Sequence, residues 1–131
     1  MTLLLNILWF ILGGFVAGLA WLVGGVALAL TIVGLPWAAA AFRIGVFSLA
    51  PFGSRVVERD RITGRDDLGT GAMGFLLNVI WFVLAGWYIA LAHLCIGLLQ
   101  CLTIIGIPFG LQHFKLAGIA LAPVGKTVIP A

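Results

Sequence analysis

The chain has 131 residues, of which 63% are hydrophobic and only 8% are charged. A soluble domain carries about 25% charged residues, so this composition argues against an ordinary soluble domain. The formal net charge of +3 is small. No basic stripe is interleaved with aromatic residues, so we predict no nucleic-acid partner.

Two long runs, residues 3–42 and residues 68–114, contain no Asp, Glu, Lys or Arg. A helix needs about 20 apolar residues to cross a bilayer, so each run can cross it at least once. The first run lacks a preceding basic segment and is longer than the apolar part of a signal peptide. We therefore predict that it remains in the protein as a membrane anchor.

Residues 4–57 recur as residues 76–129 at a constant offset of 72. The segment LLNILWF returns as LLNVIWF, LTIVGLPW returns as LTIIGIPF, and SLAPFG returns as ALAPVG. Such self-similarity indicates one structural unit that is used twice. We predict a first membrane repeat over residues 3–53, a charged connecting loop over residues 54–74 and a second membrane repeat over residues 75–125.

Each predicted repeat consists of a long transmembrane helix, a Gly-x-Pro break and a shorter helix. Proline lacks an amide donor and disrupts the preceding turn, so the motif predicts a bend or a chain reversal. The Gly24–Gly25 pair could also interrupt the first long helix. Small and polar residues stay on one helical face from end to end, however, which favours a continuous helix. The predicted fold class is all-α, an integral membrane helical bundle built from two tandem sequence repeats.

The topology depends on whether the shorter helices cross the membrane. If they cross, the repeats are parallel, and the termini and the central loop face the cytoplasm, as the positive-inside rule favours. If they lie on the membrane surface, each repeat crosses once and the repeats are inverted. We favour the first arrangement. The shorter segments have only 14–17 residues, however, so a re-entrant or steeply interfacial segment is a third alternative. Arg43 and Lys115 occupy equivalent positions, and we predict lipid headgroup contacts for both and for His113.

One face of the second long helix carries four polar residues, Asn78, His93, Gln100 and Thr103. Burying an unpaired amide or imidazole in hydrocarbon is costly, so His93 and Gln100 need partners. They either line a pore in a homo-oligomer or form hydrogen bonds between packed helices. Repeat one has Trp21 and Leu28 at these two positions, which counts against a pore built from both repeats. We predict no metal site, because no carboxylate, second histidine or cysteine pair converges with His93 on its helix.

Three duplicated motifs, L-N-[IV]-[LI]-W-F, T-I-[VI]-G-[LI]-P and L-A-P-[FV]-G, resemble the YccF family of small bacterial inner-membrane proteins. The resemblance covers nearly the whole chain. It implies a location in the bacterial inner membrane. It implies no activity, cofactor or functional residue.

Function is therefore predicted from the residues alone. All four carboxylates lie in the connecting loop and no nucleophile has an identifiable base, so we predict that the chain is not an enzyme and needs no cofactor. Our first hypothesis is a homo-oligomeric channel or pore in the lipid bilayer that passes an ion or a small solute. The alternative is a non-conducting accessory protein that binds lipids or a partner protein.

Overall fold

A computed structural model describes residues 1–65, 67 and 69–130 of the chain. The described chain is mostly helical and divides into two compact units. One unit contains Met1–Leu77 and Pro123–Ala131, and the other contains Asn78–Ala122. The first repeat therefore lies entirely in the first unit.

Helix α1, Thr2–Leu30, extends over 29 residues and is kinked at Gly13; its length corresponds to about 43 Å at 1.5 Å per residue. It passes through the Gly24–Gly25 pair without interruption. Its irregular point is a π-helical turn in which Gly13 has a φ of 151°, a conformation that glycine adopts readily. The helix has three parts, which are Thr2–Trp9, the π-helical turn Phe10–Gly14, and Phe15–Leu30.

Helix α2, Leu35–Leu49, packs back along α1 and completes the first helical hairpin. Gly18 and Gly45 allow the two backbones to approach closely. A Cβ atom built on either glycine would lie 3.0–3.2 Å from the carbonyl oxygen of the other. Small residues permit this approach between helices in an apolar environment.

An indole hydrogen bond ties the end of α2 to α1. Trp9 Nε1 donates to the main-chain oxygen of Ser48 over 2.6 Å. The last four carbonyls of a helix lack partners within the helix, and an unsatisfied carbonyl is costly in hydrocarbon. Trp9 supplies this partner, and Gly14 makes room for it, because a Cβ atom at Gly14 would overlap the indole ring.

Two short antiparallel strands lie in the first unit, β1 over Ser54–Glu58 and β2 over Lys126–Pro130. Ser54 pairs with Pro130 at one end, and Glu58 pairs with Lys126 at the other. The side chains of Glu58 and Lys126 also form an ion pair. A five-residue helix, α3 over Arg59–Thr63, follows β1.

The sheet was not predicted from the sequence. The segment predicted as a charged connecting loop, residues 54–74, contains β1, α3 and the start of the next helix. Each strand mixes polar and apolar residues over five positions, and its partner lies far away in sequence, so no local pattern signals the pairing. Asp66 and Leu68, which belong to the same predicted loop, lie outside the described residues.

The second hairpin consists of α4, Gly71–Cys101, and α5, Ile107–Leu121. Helix α4 is continuous over 31 residues and has a π-helical turn at Phe82–Gly86. Trp81 Nε1 donates to the main-chain oxygen of Ala120 over 2.7 Å. Because Trp81 and Ala120 are equivalent to the donor and acceptor of the first hairpin, both repeats close in the same way.

Both long helices, α1 and α4, are long and apolar enough to cross a membrane. Much of their apolar surface is uncovered in the chain. Exposed apolar surface of this extent is typical of proteins that contact a membrane or a partner. Exposed large side chains on α1 include Leu3, Ile11, Val16, Val23 and Leu30.

Candidate functional site

Thr103 organises the turn that follows α4. Its Oγ1 donates to the main-chain oxygen of Gln100 over 3.0 Å and accepts from the Gly106 amide over 3.0 Å. Thr31 makes the same two hydrogen bonds in the first hairpin, over 2.6 Å and 3.0 Å. The threonine and glycine of the T-I-x-G motif therefore hold the turn between the helices.

His93 lies on the buried face of α4 and contacts His113 of α5. The two Nδ1 atoms are 3.0 Å apart, and the rings are tilted by 31°. One ring must therefore donate and the other accept. Both residues are almost fully buried, with 8% exposure for His93 and 4% for His113.

The position of His113 corrects the prediction that it contacts lipid headgroups. His113 shares the inward face of α5 with Leu116 and Ala120, which are both fully buried. The sequence of α4 alone does not indicate this second histidine, because His113 belongs to the other helix of the hairpin. The sequence signal for the burial of His113 was its helical spacing from Leu116 and Ala120, which places the three residues on one face of α5.

The other members of the predicted polar face lie in different surroundings. Asn78 and Gln100 are half-buried, and Thr103 is exposed. The side-chain oxygen of Gln100 is buried without a hydrogen-bond partner among the described residues, as is that of Gln112. The four residues thus do not form one cluster, since Thr103 serves the turn and His93 serves the helix contact.

The histidine pair does not provide a recognisable metal-binding set. Among the described residues, no group of three His, Cys, Asp or Glu side chains converges. A structural zinc site usually needs four such ligands, and a catalytic site needs three. The geometry instead fits a neutral hydrogen bond between two helices.

Arg43 and Lys115 are equivalent in the repeats but differ in exposure. Arg43 is exposed on α2, and its Nη1 donates to the main-chain oxygen of Lys126 over 3.4 Å. Lys115 is half-buried on α5. The headgroup contacts of Arg43 and Lys115 stay predictions.

Near Arg43, Arg59 and Asp67 form a bidentate ion pair. Arg59 Nε and Nη2 donate to the two carboxylate oxygens of Asp67, both over 2.6 Å. These hydrogen bonds from Arg59 hold the pKa of Asp67 well below its usual range, and the pair raises the pKa of Arg59. Both residues belong to the predicted charged connecting loop, and nothing in the sequence indicates that they pair.

The repeated hairpin and its two helices of membrane length define a small helical membrane protein with an internal duplication. The family model described as YccF, inner membrane component domain, matches residues 4–54 and matches again at residues 76–126. The chain therefore belongs to the YccF family, and the resemblance seen in its motifs is confirmed.

The similarity to relatives extends over nearly the whole chain. The chain is 40% identical over 132 residues to the inner membrane protein YccF of Escherichia coli (strain K12), which covers 98% of the chain and 88% of that relative. The same values hold for the inner membrane protein YccF of Shigella flexneri. No solved structure matches the chain. These relatives support a location in the bacterial inner membrane.

Proposed function

We propose that the chain is a non-conducting protein of the inner membrane that binds lipids or a partner protein. The observation that carries this proposal is the contact between His93 and His113. This contact directs the most polar part of α4 toward α5 of the same hairpin. A pore in a homo-oligomer would instead need His93 to face a shared conduit.

The packing beside the histidine pair also supports the proposal. A Cβ atom on Gly97 would lie 2.9 Å from the carbonyl oxygen of Gly110 and 2.6 Å from the ring of Phe114. Among the described residues of this unit, such close packing argues against a water-filled path between α4 and α5. Conduction along this face would require the two helices to separate.

We further propose that each hairpin enters and leaves the membrane on one side. Within the first unit, the Asn6 side chain donates to the Phe52 carbonyl over 3.0 Å and accepts from the Phe52 amide over 2.8 Å. Strand β1 then pairs with β2. These contacts hold the start of the first helix, the central segment and the last strand at one end of this unit, which supports the parallel arrangement. By the positive-inside rule, that end would face the cytoplasm.

The shorter helix of the first hairpin covers only part of the hydrocarbon core, so the segment that follows it must complete the return. Helix α2 spans about 22 Å at 1.5 Å per residue, less than the roughly 30 Å of the hydrocarbon core. The non-helical segment from Ala50 to Gly53 completes the return, because a Cβ atom on Gly53 would lie 2.8 Å from the Thr2 side chain. The exposed apolar surface would then face lipid or, in a homo-oligomer, a second copy.

Current recordings from reconstituted protein test the proposal. We expect no single-channel currents from the wild-type chain in planar bilayers, and none from His93→Ala or Gln100→Ala. A matched control is Leu91→Ala, which truncates an exposed side chain of α4. Currents that His93→Ala alters and Leu91→Ala does not would overturn the proposal in favour of the pore.

A further inference from the structure

A cavity in the first unit brings two arginine side chains next to an apolar wall. Its volume is about 120 Å³. Arg43 of α2 and Arg59 of α3 both line it. Ala40 and Pro36 line it one and two turns before Arg43 on the same face of α2, and Leu77 adds a further apolar side chain. Among the described residues, the lining contains no carboxylate.

Arg59 has a nitrogen that its ion pair does not use. The pair with Asp67 occupies Nε and Nη2. The remaining nitrogen, Nη1, is buried and has no hydrogen-bond partner among the described residues. A buried donor without an acceptor is costly, and an anion in the cavity would supply that acceptor.

Arg43 adds a second positive charge at the same cavity. Its hydrogen bond to the Lys126 carbonyl is long, at 3.4 Å, and no carboxylate of the described chain forms an ion pair with it. Asp67 compensates one of the two arginine charges, so one positive charge remains. The repulsion between Arg43 and Arg59 would be relieved by a bound anion.

We propose that this cavity, which we name the arginine pocket, binds a phosphate group, and that the phosphate belongs to an anionic phospholipid. Arginine recognises phosphate through paired N–H donors. Pro36, Ala40 and Leu77 give the pocket an apolar wall beside the two arginines. The volume admits a phosphate but no acyl chain, so the chains lie outside the pocket. This inference rests on the lipid-binding role proposed above and names the ligand class.

Calorimetric titration of the full chain in a nonionic detergent tests the arginine pocket. The probes are dihexanoyl phosphatidylglycerol, dihexanoyl phosphatidylcholine and inorganic phosphate. We expect the anionic lipid to bind most tightly. Arg43→Gln and Arg59→Gln should each weaken its binding about fivefold, the effect of one basic residue on an anionic lipid. Arg61→Gln removes an equal charge from an exposed position of α3 outside the pocket and should leave the affinity unchanged.

Asp67→Asn separates binding from a merely structural role. This change keeps Arg59 but removes the opposing charge, so it should tighten binding of the anionic lipid. A structural role of the ion pair would instead predict weaker or unchanged binding. Circular dichroism of every variant checks the fold, and Arg43→Gln alone decides if Arg59→Gln does not fold.

Three results would overturn the inference. The first is equal affinity for both lipids, and the second is a loss of affinity in Arg61→Gln equal to that in the two pocket variants. The third is inorganic phosphate that binds as tightly as the anionic lipid, which would identify free phosphate as the ligand. Failure of the proposed function gives a different signature. Currents in the bilayer recordings would remove the non-conducting role, whereas the titration would still report whether the arginine pocket holds a lipid phosphate.

Discussion

The two hairpins differ most clearly at one pair of equivalent positions. The first hairpin has Trp21 and Ala41 there, and the second has His93 and His113. All four side chains are buried. A large and a small residue are thus replaced by two residues of intermediate size that share a hydrogen bond. Because interiors are packed to a nearly constant density, the comparison indicates that the histidines fill space as well as satisfy each other.

The hairpins also differ in where their helices approach most closely. In the first hairpin the close approach is at Gly18 and Gly45, and in the second it is at Gly97 and Gly110. The shared features are the π-helical turn and the tryptophan that bonds the carbonyl near the end of the shorter helix. The closing contact is thus common to both repeats, whereas the helix packing is specific to each.

The largest expected effect comes from filling the close contact of the second hairpin. Gly97→Ala should lower the free energy of unfolding by about 3 kcal/mol, at the upper end of the cost of overpacking. The added Cβ would meet the Gly110 carbonyl and the Phe114 ring. Unfolding by SDS titration in mixed micelles measures this effect.

Gly118→Ala is the matched control on α5, because a Cβ atom there has no neighbour within 4 Å. It should be neutral or stabilising by about 0.5–1 kcal/mol, since alanine is favoured over glycine inside a helix. If both substitutions destabilised the hairpin equally, the close contact at Gly97 would be refuted.

The next largest effect on the free energy of unfolding comes from replacing the two histidines of the second hairpin with the tryptophan and alanine of the first. His93→Trp alone should destabilise the second hairpin by about 2 kcal/mol, because the larger ring would overpack against His113. Adding His113→Ala recreates the combination of the first hairpin and should recover most of the loss. The same SDS titration measures both variants. A double variant no more stable than His93→Trp would show that the two pairs are not equivalent packing solutions.

The contrast between local and long-range features explains what the sequence could predict. The repeat and the two long helices follow from self-similarity and from runs without charge, which are visible along the chain. The membrane location predicted from them is supported by the family. The partner of His93 was missed because it depends on which face of α5 meets α4. The β1–β2 pairing was missed because strands so short and so distant in sequence leave no periodic signal.

The arginine–aspartate pair illustrates the same limit. The charges of residues 54–74 were visible as a group, but composition does not specify which of the arginines meets which acid. The pair also depends on the close passage of Gly69, where a Cβ atom would lie 2.6 Å from Arg59 Nη2. Such a contact has no counterpart in local sequence patterns.

The tryptophan hydrogen bond that both hairpins share should contribute equally to the stability of each. Trp9→Phe and Trp81→Phe each remove one indole donor to a helix-end carbonyl. Each should lower the free energy of unfolding by about 0.6–1.7 kcal/mol, the range measured for hydrogen bonds between membrane helices. Trp87→Phe is the control, because Trp87 is exposed on α4. Clearly unequal losses for the first two variants would refute the equivalence of the repeats at this contact.

The smallest expected effect is the pH response of the Arg59–Asp67 pair, which lies in the segment between the two repeats. Its bonds lower the pKa of Asp67 in the folded chain below the unfolded value. The stabilisation is therefore fully present above the unfolded pKa and is lost as the pH falls through the lowered folded pKa. The amides of α3, Gly69 and Thr70 should be equally protected from hydrogen exchange at pH 7 and pH 5, after correction for the intrinsic exchange rate. They should lose protection only at more acidic pH. Asp67→Asn should abolish this acid-dependent loss of protection and leave the amides of α5 unaffected. If the acid-dependent loss persisted in Asp67→Asn, another group would control the order of this segment.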